Sequence, residues 1–78
     1  MIPLYGFLEG DTMGLLVLAE ADETLGALAR RLQESAVARV APRAPLWLFV
    51  GGKLQESHVT VAEAGLGPLD RFDVRESP

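Results

Sequence analysis

The sequence has no cysteine and a single histidine, His58. The first absence excludes a disulfide framework, a cysteine-based zinc site and a thiol redox role. No apolar run exceeds the 5 residues from Leu15 to Ala19, far short of the roughly 20 that a membrane-spanning helix needs. No basic segment precedes an apolar run near the N-terminus, so no secretory signal is expected, and the expected location is the cytoplasm. Basic residues are scarce overall. The net charge is −4, which argues against a nucleic-acid binder that must neutralise phosphates.

What is present fits one globular domain over residues 1–78. The chain is 49% hydrophobic and only 23% charged, a balance that supports a core rather than disorder. A domain of this size buries only about 60% of its unfolded surface, leaving little room for a deep active site. The charge is unevenly spread. The first 23 residues carry Glu9, Asp11, Glu20, Asp22 and Glu23 and no Lys or Arg. Arg30, Arg31, Arg39 and Arg43 then follow with Glu34 as the one acid among them. That segment reads either as a solvated helix face with its following loop or as a contact for an acidic partner.

"IPLYGFLE" and "MGLLVLAE", separated by Gly10-Asp11-Thr12, predict a β-hairpin with a short loop. The period then changes. Leu25, Leu28, Ala29, Leu32 and Ala36 follow the spacing of one buried helix face. Thr24 is the expected N-cap, with Asp22 and Glu23 favouring the positive helix end. Gly26 is expected to weaken the first turn by about 1 kcal/mol relative to alanine. Pro42 and Pro45 end the helical region, and "LWLFV" predicts a strand.

The stretch "GGKL" at residues 51–54 has three possible readings. A phosphate loop needs a following Ser or Thr and a helix; Leu54 follows instead. A carrier tail needs a C-terminal Gly-Gly carboxylate, whereas the sequence ends "VRESP". A hairpin turn remains, because both glycines tolerate positive φ. Further on, Thr60 and Glu63 predict a capping box, and Gly65 with Leu66 a left-handed stop after one short turn. "RFDVRE" reads as a final strand, Phe72 and Val74 inward, Arg71, Asp73 and Arg75 outward.

The order β-β-α-β, short return strand, capped turn, β resembles the ubiquitin-like β-grasp. "DETLGALARRLQ", "LFVGGKLQES" and "TVAEAGLGPLDRFDVR" carry that likeness. The expected fold is therefore α+β: a mixed four- to five-stranded sheet with one main helix packed on one face. Two stretches, "RVAPR" (Arg39 to Arg43) and "TVAEAGLGP" (Thr60 to Pro68), with the ending "DVRE", resemble a narrower family. This is the B component of toluene-4-monooxygenase, the ubiquitin-like γ subunit of bacterial multicomponent diiron aromatic hydroxylases. Nearly the whole chain is covered. The chain departs from the family at residues 51–54, where the family is more basic, so no partner contact is carried over to this hairpin.

The residues give catalysis little to work with. Ser57 and His58 are adjacent in a predicted loop, whereas a nucleophile needs its base across a hydrogen bond and a third group orienting that base. A diiron site requires Glu-x-x-His pairs projected from facing helices, which one helix without histidine does not supply. Asp70 and Asp73 read as solvated charges, and Trp47 as a core residue.

The strands pose a different question. One helix covers one face of a sheet, and the other face should turn polar. Yet Leu15, Val17 and Ala19 alternate with Leu16 and Leu18; Leu46, Leu48 and Val50 with Trp47 and Phe49; Leu4 and Leu8 with Tyr5 and Phe7. Large apolar side chains remain on the open face whichever way each strand turns. They are either scattered surface residues or a docking patch; we favour the patch. Ubiquitin-like geometry implies Leu15, Val17, Trp47 and Phe49 inward and Leu16, Leu18 and Leu48 outward. The expected partner interface is thus Leu16, Leu18 and Leu48 with Arg39 and Arg43; no catalytic, cofactor-binding or metal-binding residue is expected.

The resemblance implies a non-catalytic accessory subunit in the breakdown of aromatic hydrocarbons. Its partners would be the large and other subunits of a diiron hydroxylase, with iron and substrate pocket in the large subunit. No nucleic acid, membrane or small-molecule substrate of its own is expected. The rival reading is a free-standing ubiquitin-like adaptor of another assembly; a minimal hydrolase using Ser57 and His58 ranks behind both.

Overall fold

A computed structural model of the chain describes residues 1–10, 14–35 and 46–75. Five strands and one helix follow in the order β1 (Ile2–Leu8), β2 (Leu15–Ala19), α1 (Leu25–Ser35), β3 (Trp47–Val50), β4 (Lys53–Gln55) and β5 (Arg71–Arg75). They form one mixed sheet ordered β2-β1-β5-β3-β4. The first and last strands run parallel at its centre, and the other neighbours are antiparallel. This is the ubiquitin-like β-grasp expected from the sequence. No helix among the described residues is long and apolar enough to cross a membrane.

Helix α1 presents Leu25, Leu28, Ala29 and Leu32 to the sheet, as its apolar spacing requires. They meet Leu4, Leu8, Val17, Ala19, Leu48, Phe72 and Val74, and Val61 and Leu66 close the end. No polar or charged residue among those described is buried. Close approach depends on Gly6: a methyl group there would lie 2.7 Å from Phe72 Cζ and 2.9 Å from Leu32 Cδ1.

The helix N-terminus explains Gly26. The first backbone donors of a helix have no partner inside it. Here Leu25 N donates to the Val59 carbonyl at 2.8 Å and Gly26 N to that of Ser57 at 2.9 Å. Ala27 N donates to Thr24 Oγ1 at 3.2 Å, the expected cap. A methyl on Gly26 would press to 3.0 Å from Ser57 Cβ and 3.2 Å from its carbonyl oxygen. The glycine that lowers helix propensity thus lets the 57–59 segment complete the cap.

The local turn signals hold. Gly51 and Gly52 have φ of 60° and 77° and join β3 to β4, as a two-residue hairpin requires. In the capping box, Thr60 N donates to Glu63 Oε1 at 3.0 Å and Glu63 N to Thr60 Oγ1 at 3.1 Å. Gly65 has φ 75°, and Leu66 N reaches back to the Val61 carbonyl at 3.2 Å. This is a Schellman-type stop that folds buried Leu66 over the turn.

One orientation is the reverse of that expected. Leu48 points inward, 4% exposed and part of the core, while Trp47 is only half-buried. The cause is the register with β5: Leu48 lies opposite Val74, Trp47 opposite Arg75 and Phe49 opposite Asp73. Directly paired residues share a face of the sheet. The inward Val74 therefore carries Leu48 with it and sends Trp47 and Phe49 to the open face.

Candidate docking surface

The open face is built by the odd-numbered positions of β1, β3 and β5 and the even-numbered ones of β2. The register sets Leu18 opposite Pro3 and Leu16 opposite Tyr5, then Tyr5 opposite Arg71 and Phe7 opposite Asp73. Beyond β5 lie Trp47 and Phe49, with Leu54 opposite Phe49. One edge is apolar and open to solvent: Leu16 is 59% exposed, Leu18 48% and Tyr5 42%. The helix-side residues of the same strands, Leu4, Val17 and Ala19, are buried.

The centre of this face is handled differently. Arg71 and Arg75 project from β5 across the aromatic rings of its two neighbours. The guanidinium carbon of Arg71 lies 4.0 Å from the Phe7 ring centroid, and that of Arg75 4.5 Å from that of Phe49. These are cation–π distances. Between them, Arg71 Nε donates to Asp73 Oδ1 at 3.0 Å. Phe49 is consequently only 7% exposed on a face that no described helix covers. Phe7 gains its place through Gly14, where a methyl would come within 2.6 Å of the ring.

The apolar edge is tied to the helix. Arg31 donates through Nη1 to both carboxylate oxygens of Glu23 at 2.7 Å and through Nη2 to the Leu18 carbonyl at 2.7 Å. In a strand, N–H and C=O of one residue point the same way and alternate along the chain. Leu18 and Leu16 therefore direct their backbone polar groups away from β1, and Arg31 occupies one of those acceptors.

Of the residues expected to form an interface, Leu16 and Leu18 lie together on this face, joined by Tyr5. Leu48 does not, being in the core. Arg39 and Arg43 lie outside the described residues. The stacked Arg71 and Arg75 were legible from alternation as outward residues, but not their rings.

The remaining candidates have structural roles. His58 is exposed, its Nε2 3.3 Å from Glu56 Oε2, and the Ser57 carbonyl serves the helix cap. Asp70 Oδ2 accepts from Gly67 N at 2.7 Å and Asp73 holds Arg71, so neither is merely solvated. An open groove of about 540 Å³ lies between Leu25 and Ala29 of the helix and the segments 46–48 and 54–58. Among the described residues, no group of three or more His, Cys, Asp or Glu side chains is placed to hold a metal ion.

The sequence matches the family model for toluene-4-monooxygenase system protein B (TmoB) over residues 1–75. The chain belongs to the toluene-4-monooxygenase system protein B family. A chain of the toluene 4-monooxygenase HD complex with the inhibitor 4-bromobenzoate superposes with a TM-score of 0.89 at 26% identity, covering 97% of this chain and 98% of that one. Ubiquitin of Caldiarchaeum subterraneum superposes with a TM-score of 0.81 at 15% identity, covering 99% of this chain and 94% of that one. The second likeness concerns the fold alone. No curated protein matches significantly. As a system protein B the chain is an accessory component of a monooxygenase system, not its catalyst.

Proposed function

We propose that the chain is the small γ subunit of a multicomponent diiron aromatic hydroxylase of the toluene monooxygenase type, docking on the large subunit in the cytoplasm. The observation that carries this reading is the family match over residues 1–75, joined to end-to-end similarity with a chain of a hydroxylase complex. The open sheet face, with Leu16 and Leu18 exposed side by side, supplies the apolar area that marks interaction sites. Iron and the substrate pocket belong to the partner. One histidine and no cysteine do not fit a diiron site, whose ligands come in Glu-x-x-His pairs from facing helices. The chain's contribution is to bind and brace the subunit that holds them.

Co-expression of the tagged chain with the large hydroxylase subunit tests the proposal. The two should co-purify in a fixed ratio, and omitting the small chain should lower hydroxylation of toluene-like substrates. A large subunit that assembles and turns over equally well without this chain would exclude the role.

A further inference from the structure

Among the described residues acidic side chains outnumber basic ones by 9 to 5, and the open sheet face reverses that balance. Its strand side chains include Arg71, Arg75 and Asp73, a local charge of +1. The chain has 7 Lys+Arg and 11 Asp+Glu. Removing those three leaves 5 basic and 10 acidic residues, or −5, for the rest. The two guanidinium groups lie against Phe7 and Phe49. Stacking restrains them, so little rotamer freedom remains to be lost when a partner arrives. Beside them lie exposed Tyr5, Leu16 and Leu18. Arginine and aromatic residues next to aliphatic area are the composition of interface anchors.

We propose that this arginine stripe and its apolar edge form the docking face, and that the surface it fits is on the large hydroxylase subunit. That surface would present Asp or Glu carboxylates to Arg71 and Arg75, and apolar side chains to Tyr5, Leu16 and Leu18. The inference rests on the subunit reading above and adds which face binds and what chemistry it meets. The sign of the charge favours a carboxylate-bearing surface, because this face is locally positive while the chain as a whole is negative. The planar guanidinium favours bidentate carboxylates. Among the described residues, the buried apolar side chains of the helix are consumed by the core, and its Arg31 is engaged by Glu23.

The test is binding of the purified chain to the iron-loaded large subunit at about 50 and 300 mM salt, spanning strong and weak screening. Wild type should bind and weaken as salt rises. Arg71→Gln with Arg75→Gln should lose about tenfold or more in affinity at low salt and flatten the salt dependence. Leu16→Glu should weaken binding at both salts, whereas Arg30→Gln on the helix should not. Arginine-selective labelling of the wild-type chain with phenylglyoxal covers the case of a misfolded variant. Arg71 and Arg75 should be protected in the complex.

The outcomes are distinguishable. If wild type binds but the arginine pair and Leu16 variants bind equally well, or Arg71 and Arg75 stay reactive in the complex, the face is wrong and the subunit reading stands. If wild type does not bind the large subunit, the subunit reading falls and this inference with it. Dimers of the isolated chain that Leu16→Glu abolishes, without an effect on hydroxylase binding, would assign the face to a second copy and overturn the proposal.

Discussion

The two faces of the central strand β5 solve the same problem by different means. Phe72 and Val74 are fully buried beneath the helix, while Arg71 and Arg75 on the opposite side are exposed. Under the helix, apolar surface is removed from water by close packing against other apolar groups. On the open face, Phe49 is removed from water by a guanidinium stem and plane, which keeps its charge hydrated while its carbons cover the ring. Further out, at Leu16 and Leu18, no described residue covers the apolar surface. The molecule therefore grades from closed core to arginine-paved sheet to open patch, and the uncovered end is where a partner has most to bury.

One charge placed on each face of β3, at neighbouring positions, separates the two environments. Leu48→Lys puts an ammonium group into the core among Leu25, Ala29 and Val74. It should cost about 3 kcal/mol or more, because a buried unpaired charge has no compensating partner. Trp47→Lys, one residue away and facing out, should cost about 1 kcal/mol, since lysine's stem can lie along the sheet while its charge reaches water. Chemical denaturation of both variants checks the order. Equal losses would mean that the faces of β3 are not distinct.

A smaller effect is expected from crowding the inner face. Gly6→Ala forces a methyl to within 2.7 Å of the Phe72 ring and 2.9 Å of Leu32. Overpacking of this kind costs about 1–3 kcal/mol. Thermal unfolding should show a lower midpoint. Combining Gly6→Ala with Leu32→Val, which shortens the side chain by one carbon and takes away both crowding δ-methyls, should restore part of the loss if the clash is the cause.

Strand β3 shows where the sequence stops being legible. The strand pairing of both hairpins, the helix face from Leu25 to Leu32, the Thr60–Glu63 box and the Gly51-Gly52 turn are local signals, and each holds. Asp11, Thr12, Ala36, Pro42 and Pro45 lie outside the described residues. Strand β2 has the same apolar character on both sides, yet its outward pair, Leu16 and Leu18, follows from the fold. In "LWLFV" every position is large and apolar, so alternation cannot choose a face. Only pairing with Val74, some 26 positions later in the sequence, does so. The arginine stripe is hidden for the same reason, because the Phe7–Arg71 and Phe49–Arg75 contacts depend on register between distant strands. Gly26 misleads in the other direction. Its cost to the helix is a local quantity, whereas its use is a contact with Ser57.

Next in size come the hydrogen bonds that hold the helix side closed where burial alone does not. Thr60→Val keeps the side-chain volume but removes the oxygen that accepts from Glu63 N. It should cost about 1 kcal/mol, as expected for a lost cap. Thr24→Val removes the acceptor for Ala27 N and should cost a similar amount. Their effects should be less than additive, because Val59 and Val61 link both segments through Leu25 N and the Glu23 carbonyl. A double-mutant cycle measures that coupling. Strict additivity would mean that the helix cap and the 60–65 turn are held independently.

The smallest expected effect is a pH dependence confined to the same turn. The backbone N–H of Thr60, followed by the coupling to its hydroxyl, lowers the pKa of Glu63 below its ordinary value of 4.5. A carboxyl whose pKa is lower in the folded than in the unfolded chain binds protons more readily when unfolded. Its contribution is therefore fully present above the ordinary carboxylate range and is lost as pH falls through the depressed folded value. Unfolding midpoints should thus decline below about pH 4.5, with Glu63 contributing a small share. Glu63→Gln should remove that share while keeping an acceptor for Thr60 N, so its difference from wild type should narrow as the solution is acidified. Because the carboxylate is exposed, salt should weaken the minor attraction from His58 but leave the hydrogen bond to Thr60 N largely intact. A wild-type-to-variant difference that stays constant from neutral to acid pH would show that the Glu63 charge does not reinforce the box. Packing of Val61 and Leu66 would then hold the turn by itself, as it holds the rest of the covered face.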